Sequence, residues 1–125
     1  MRIENSAGTG RYEADLRPDG LLAIIIRGVW SGEDVDDFFA ALAPLYAEAR
    51  RRHGRTLTLI VVEAVQSPAI AMRVRDHALA LRRDGDRRAF VVATFLSKLQ
   101  VKRLRTSEAF GLFTDRAAAE AWLHE

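Results

Sequence analysis

The chain has 125 residues, no cysteine, 49% hydrophobic and 29% charged side chains, the make-up of one soluble globular domain with no comfortable room for two. A chain of this length buries roughly 65% of its unfolded surface, enough for a core without disulfides, and the missing cysteines exclude thiol catalysis, disulfide redox work and Cys-containing zinc sites. Residues 1–6 show no apolar leader and no stretch approaches the roughly 18 apolar residues of a membrane span, so a cytoplasmic address is expected.

The formal charge of +2 conceals a polarised distribution: residues 1–49 carry four basic and nine acidic side chains, a balance of −5, and residues 50–125 carry fifteen and eight, a balance of +7. Arginines at 50–52, 82–83, 87–88, 103 and 105 are able to attract nucleic acid, an anionic surface or an acidic protein. Aromatic residues are not interleaved with them, which removes the stacking platform of a single-strand binder.

Residues 1–9 read as a loose N-terminus. Over 11–17 apolar and charged residues alternate, with Tyr12, Ala14 and Leu16 on one face, which predicts a half-exposed edge strand. Pro18-Asp19-Gly20 is a turn, since Pro presets φ and Gly tolerates positive φ, and a hairpin follows. The nearly unbroken apolar runs 21–26, 57–62 and 89–95 suit strands covered on both faces.

Between these runs, Val35, Phe38, Phe39, Leu42, Leu45, Tyr46 and Ala49 recur at helical spacing and predict a helix over 32–52. Pro44 lies inside it and predicts a kink or two shorter helices. A second helix is expected over 68–83, with Ile70, Val74, Ala78 and Leu81 inward, and a third, basic one over 97–107. A short strand over 110–113 and a helix over 115–124, with Ala118, Ala121 and Trp122 inward, close the chain. The expected fold is α/β: an N-terminal hairpin, then α-β-α-β-α-β-α, around a mixed, mostly parallel sheet of about five strands.

Each expected helix opens on a hydroxyl: Ser31, Ser67 before Pro68, Ser97 with Gln100 three residues on, and Thr114. Their first role is capping. Helix starts in such folds gather at the carboxyl ends of the strands, where ligands bind and where anions are favoured. Lys98 and Lys102, one turn apart, add positive charge there. The candidate rim for a ligand or partner is Trp30, Ser31, Glu63, Ser67, Thr94, Ser97, Lys98 and Lys102.

Catalytic signatures are poor, and no catalytic residue, metal site or cofactor is assigned. His53, His77 and His124 are scattered, and no pair has metal-ligand spacing. His77 lies on a mostly apolar stripe, as a hydrogen-bonded core histidine does. Asp34, Asp36 and Asp37 complement the dipole of the helix they begin. Phosphate-loop, dinucleotide and nucleophile-elbow motifs are absent, and Glu63 has no base partner.

Three segments carry a resemblance. Gly28-Val29-Trp30-Ser31-Gly32-Glu33-Asp34-Val35 is similar to the G-hydrophobic-x-S/T-x-x-D entry into the first helix of STAS-like proteins, relatives of the anti-sigma-factor antagonists, in the variant class grouped with CRAL-TRIO lipid-binding domains. Thr58-Leu59-Ile60-Val61-Val62-Glu63, followed by Ser67, resembles their central strand and the serine that opens the next helix. The stretch from Phe113-Thr114-Asp115 to Ala121-Trp122-Leu123 resembles the F-x-D-x-x-x-A-x-x-W-L ending of that class. The similarity spans about residues 10–124, mainly as the order of elements. It implies a STAS-like fold and a regulatory role, with Ser67 in the place of the phosphorylated serine that controls docking on a kinase-like partner. Gln66-Ser67-Pro68 stands where phosphorylatable members carry Asp-Ser-Ser-Gly.

The leading functional expectation is a non-catalytic STAS-like regulatory module that binds a protein partner or small ligand. The alternative is a carrier of an apolar ligand or lipid, with Trp30, Phe38, Phe39, Met72, Phe95 and Phe110 as its lining. Nucleic-acid binding through Lys102, Arg103 and Arg105 comes third. A homodimer is the default assembly for a small domain.

Overall fold

A computed structural model describes residues 1–5, 8–103 and 110–125, with Arg103 described through its backbone. The elements are β1 (Arg2–Glu4), β2 (Arg11–Leu16), β3 (Leu21–Arg27), α1 (Gly32–His53), β4 (Leu57–Val62), α2 (Pro68–Leu81), β5 (Arg87–Val92), α3 (Phe95–Arg103), β6 (Phe110–Phe113) and α4 (Arg116–Leu123). The class is α/β, and the sheet is mixed and mostly parallel: β1, β2 and β3 pair antiparallel, and β3, β4, β5 and β6 pair parallel. Its spatial order is the order of the chain.

The sheet has six strands rather than about five. The additional one is β1, inside the segment expected to be loose, where Ile3 pairs with Ala14 and packs against the core. Three residues with a single apolar side chain are too short to display a period of two, so the sequence pattern is silent there. In consequence β2 is an inner strand, and β1 is the edge. The hairpin between β2 and β3 forms as expected: Arg17 N–H donates to Leu21 O at 2.9 Å and Gly20, at φ 90°, donates to Arg17 O at 3.0 Å.

Alternation divides the sheet's side chains between two faces. Leu22 and Ile24 of β3 and Ile60 of β4 join Val35, Phe38, Leu42 and Leu45 of α1 in the larger core. On the other face Leu21, Leu57, Leu59 and Ala89 pack against Ala119 and Leu123 of α4. Val92, Val101 and Phe110 form a small cluster beneath α3.

α1 runs unbroken from Gly32 to His53 instead of dividing at Pro44. Pro44 and Ala40 are both exposed, so the carbonyl that loses its donor faces water, where the loss is least costly. The helix begins in a reciprocal capping box between Ser31 and Asp34 and ends at Gly54, whose φ of 76° is the left-handed stop that glycine adopts without strain.

Several expected boundaries move, among them the end of α2, at Leu81 rather than residue 83, and the end of β5, at Val92 rather than residue 95. β5 spans Arg87–Val92, two residues earlier at its start than the apolar run. α3 begins at Phe95 because Thr94, not Ser97, caps it: Thr94 Oγ1 accepts from Ser97 N–H at 3.1 Å. Residues 104–107 of the expected third helix lie outside the described residues. α4 is capped by Asp115 rather than Thr114, the carboxylate accepting from Ala117 and Ala118 N–H. Its sheet-facing residues are therefore Ala119, Trp122 and Leu123, with Ala118 and Ala121 exposed.

Candidate functional site

Parallel pairing of β3 to β6 places their carboxyl ends, and so the starts of all four helices, at one end of the sheet. Because the sheet follows chain order, no reversal of strand order opens the crevice that α/β ligand sites commonly use. Two glutamines hold this end together instead. The Gln66 side chain accepts from Trp30 N–H at 2.8 Å and donates to Gly28 O at 2.9 Å. The Gln100 side chain in turn accepts from Gln66 N–H at 2.9 Å and donates to Gln66 O at 2.6 Å. Each amide satisfies one donor and one acceptor of the next segment, so the β3–α1 loop, the β4–α2 loop and α3 form a single hydrogen-bonded clasp.

The expected rim residues divide around this clasp. Trp30 is buried, its indole N–H donating to Arg27 O at 2.9 Å. Ser31 and Ser67 are exposed caps, Ser67 Oγ accepting from Ile70 N–H at 3.3 Å. Glu63 is exposed and paired with Arg27 at 2.6 Å. Thr94 is exposed, whereas Ser97 is buried and accepts from the Thr94 hydroxyl at 2.9 Å. Lys98 and Lys102 are exposed and line an open groove of about 530 Å³ with Thr114 and Asp115. Arg105 and the Arg103 side chain of the nucleic-acid reading lie outside the described residues.

Anion binding at the helix starts meets competition from the chain itself. Carboxylates already occupy the N-termini of α1 and α4, through Asp34 and Asp115. Hydrogen bonds from Ser31 N–H, Gly10 N–H and the hydroxyls of Ser31 and Thr9 hold the Asp34 carboxyl below the ordinary range, against the opposing effect of partial burial.

The rim's unusual feature is apolar. Phe95 is 72% exposed, Val29 71% and Leu96 64%, and Val65 is also exposed. They sit on the three segments that the clasp joins. Apolar side chains this open, on segments held to one another, offer a surface that a partner can cover.

A second feature lies under α2. None of its residues is fully buried; Ile70, Val74, Ala78 and Leu81 are half-buried against the core. Between it and the sheet are two narrow apolar cavities of about 60 Å³ each, which share Ile26, Phe38, Val74 and Phe90 as lining. One continues to Trp30 and Gln100, the other to Tyr46 and Arg88. Of the lining expected of an apolar-ligand carrier, Trp30, Phe38 and Phe39 are in place. Met72 and Phe95 face solvent, and Phe110 stacks on Phe90 in the cluster beneath α3.

On its outer side α2 is tied to α1. Asp36 accepts from Arg73 and pairs with His77 Nε2 at 2.9 Å, while the His77 ring stacks on Phe39 at 4.7 Å. Those hydrogen bonds, from Arg73 first and His77 second, bring the Asp36 carboxyl down to about 2. His77 is thus a half-exposed bridge between helices rather than a core histidine. No cluster of three potential metal ligands occurs among the described residues.

Sequence reasoning passed over Gln66, Gln100 and Arg88. The spacing of Gln100 from Ser97 suits a capping box, and an amide reaching across loops leaves no periodic mark. Arg88 did leave one: it shares the phase of Phe90 and Val92, a cation in an otherwise apolar row.

The chain matches no protein-family model, no curated protein and no solved structure.

Proposed function

We propose that this chain is a non-catalytic, STAS-like regulatory module that engages a protein partner through the clasped rim. The observation that carries the reading is the exposure of Phe95, Leu96 and Val29 on segments fixed by the two glutamines. Full burial of one such side chain in an interface contributes about 1.5–3 kcal/mol, and a preorganised rim spends little of that on ordering loops. Ser67, exposed beside Gln66, is placed to alter docking if phosphorylated, since −1.5 to −2 charges at a helix start are tolerated by α2 and felt by a partner.

The test is site-specific photo-cross-linking in the cells that make the protein, with a benzophenone side chain at Leu96 and, as control, at Leu79, which is exposed on α2 away from the rim. A discrete protein adduct from position 96 and none from position 79 is expected. The same labelling from both positions, or none from the rim, removes the reading. An adduct of twice the chain's mass identifies a second copy as the partner.

A further inference from the structure

The crevice beneath α2 ends on a guanidinium that no carboxylate of the described residues neutralises. In β5, Arg87 turns to the α4 face and lies 4.0 Å over the Trp122 ring, so Arg88 turns to the α1 and α2 face with Phe90 and Val92. It is half-buried, and among the described residues its side chain hydrogen-bonds from Nη2 to Ala78 O at 2.9 Å. No carboxylate of the described residues pairs with it, although Asp86 nearby is held by Arg50. A guanidinium carries five N–H donors in a planar fork suited to a carboxylate, and placing one beside apolar surface without a counter-ion is unfavourable.

We propose that the crevice is a binding site for a small monocarboxylate with a slender apolar body, its carboxylate on Arg88 and its body running between Val74 of α2 and Ile26 and Phe90 of the sheet toward Trp30. This goes beyond docking at the rim and stands without it. The geometry sets the ligand's shape. From Arg88 to Val92 the strand advances about 13 Å, the reach of an unbranched chain of about ten carbons. Each cavity, at about 60 Å³, is smaller than the roughly 150 Å³ that admits benzene into a closed apolar core, so the ligand's body enters only as α2 moves off the sheet. α2 has no fully buried residue and is held by polar contacts, Asp36 with Arg73 and His77 and Ala78 O with Arg88, and a straight body asks for the smallest displacement of it.

Decanoate and 1-decanol, equal in chain and different in head, are the probes, titrated by calorimetry and by methyl NMR of the isoleucine and valine side chains. Decanoate is expected to bind at least about tenfold more tightly than decanol, the contribution of a charge-assisted pair, and to shift Ile26, Val62 and Val74. Arg88→Leu brings the two probes to parity, and Arg88→Lys keeps part of the preference. Val74→Phe, which fills the crevice, abolishes both while the protein stays folded by circular dichroism. Equal affinity of the two probes for the unaltered protein overturns the proposal, as does the absence of binding up to the probes' solubility, or shifts confined to Val29 and Val65 at the rim.

Discussion

Replacing Gln66 by alanine tests whether the clasp holds the rim. The substitution removes two hydrogen bonds, from Trp30 N–H at 2.8 Å and to Gly28 O at 2.9 Å, and leaves the Trp30 amide without a partner in a part-buried position. At about 1 kcal/mol for each bond, Gln66→Ala should cost about 2 kcal/mol, visible as a lower urea midpoint at constant slope. If that loss is confined to the rim, the Trp30 amide exchanges about 25-fold faster while the amides of β3 and β4 keep their protection. Gln66→Glu retains an acceptor for Trp30 N–H but sets a carboxylate against Gly28 O, so Trp30 protection survives although global stability falls. Gln100→Ala severs Gln66's backbone from α3 and spares its bonds to the first loop. Because the two amides act in series, the double substitution should cost less than the two single ones together, with a coupling of about 0.5–1 kcal/mol. Unchanged Trp30 exchange in Gln66→Ala, within about twofold, would refute the clasp.

Further perturbations follow from the packing and the caps. Asp86, 6% exposed, accepts from Thr56 N–H at 2.9 Å, Arg83 N–H at 3.0 Å and the Arg50 guanidinium at 2.8 Å. Asp86→Ala strands the Thr56 and Arg83 amides and leaves the Arg50 guanidinium only its bond to Leu81 O, and should cost about 3–5 kcal/mol in urea unfolding, whereas a loss below about 1 kcal/mol contradicts the network. Burial alone would raise the Asp86 carboxyl, but the bonds from Thr56, Arg50 and Arg83 outweigh it and hold it below the ordinary value of 3.8. A carboxyl lowered on folding contributes stability that is complete above its unfolded value and is lost as pH falls through the folded one. Asp36 obeys the same sign, with its window between 3.8 and about 2. The urea midpoint should hold from pH 7 to about 4 and then fall, less steeply in Asp86→Asn. Ser67→Ala deletes the α2 cap and should cost about 1 kcal/mol, read by thermal melting. Ser67→Asp preserves the cap and alters the cross-linking yield at position 96, and an unchanged yield would remove Ser67 from any regulatory part.

What was legible in the chain follows from what leaves a period. The apolar runs of β3 and β4, the stripe of α1 that recurs at helical spacing and the local Pro18-Asp19-Gly20 turn are all marks within a few neighbouring residues, and each formed where expected. β1 and the start of α3 did not, since three residues carry no period and Thr94 competes with Ser97 for the same capping role. At the rim, the caps at Ser31 and Ser67 were readable because a cap is a local event. Gln66 and Gln100 were not, because their partners lie more than thirty residues away. Exposed Phe95 and Leu96 belonged to an apolar stretch whose end a pattern alone does not locate.

The sequential layout of the sheet has a bearing on how the molecule is made. Every strand pairs with the one synthesised just before it, so no hairpin has to open to admit a latecomer and each crossover closes a short loop. Growth from the ribosome can therefore zip in one direction, leaving at every stage a single growing edge, to which β6 is added before α4 folds back over the sheet.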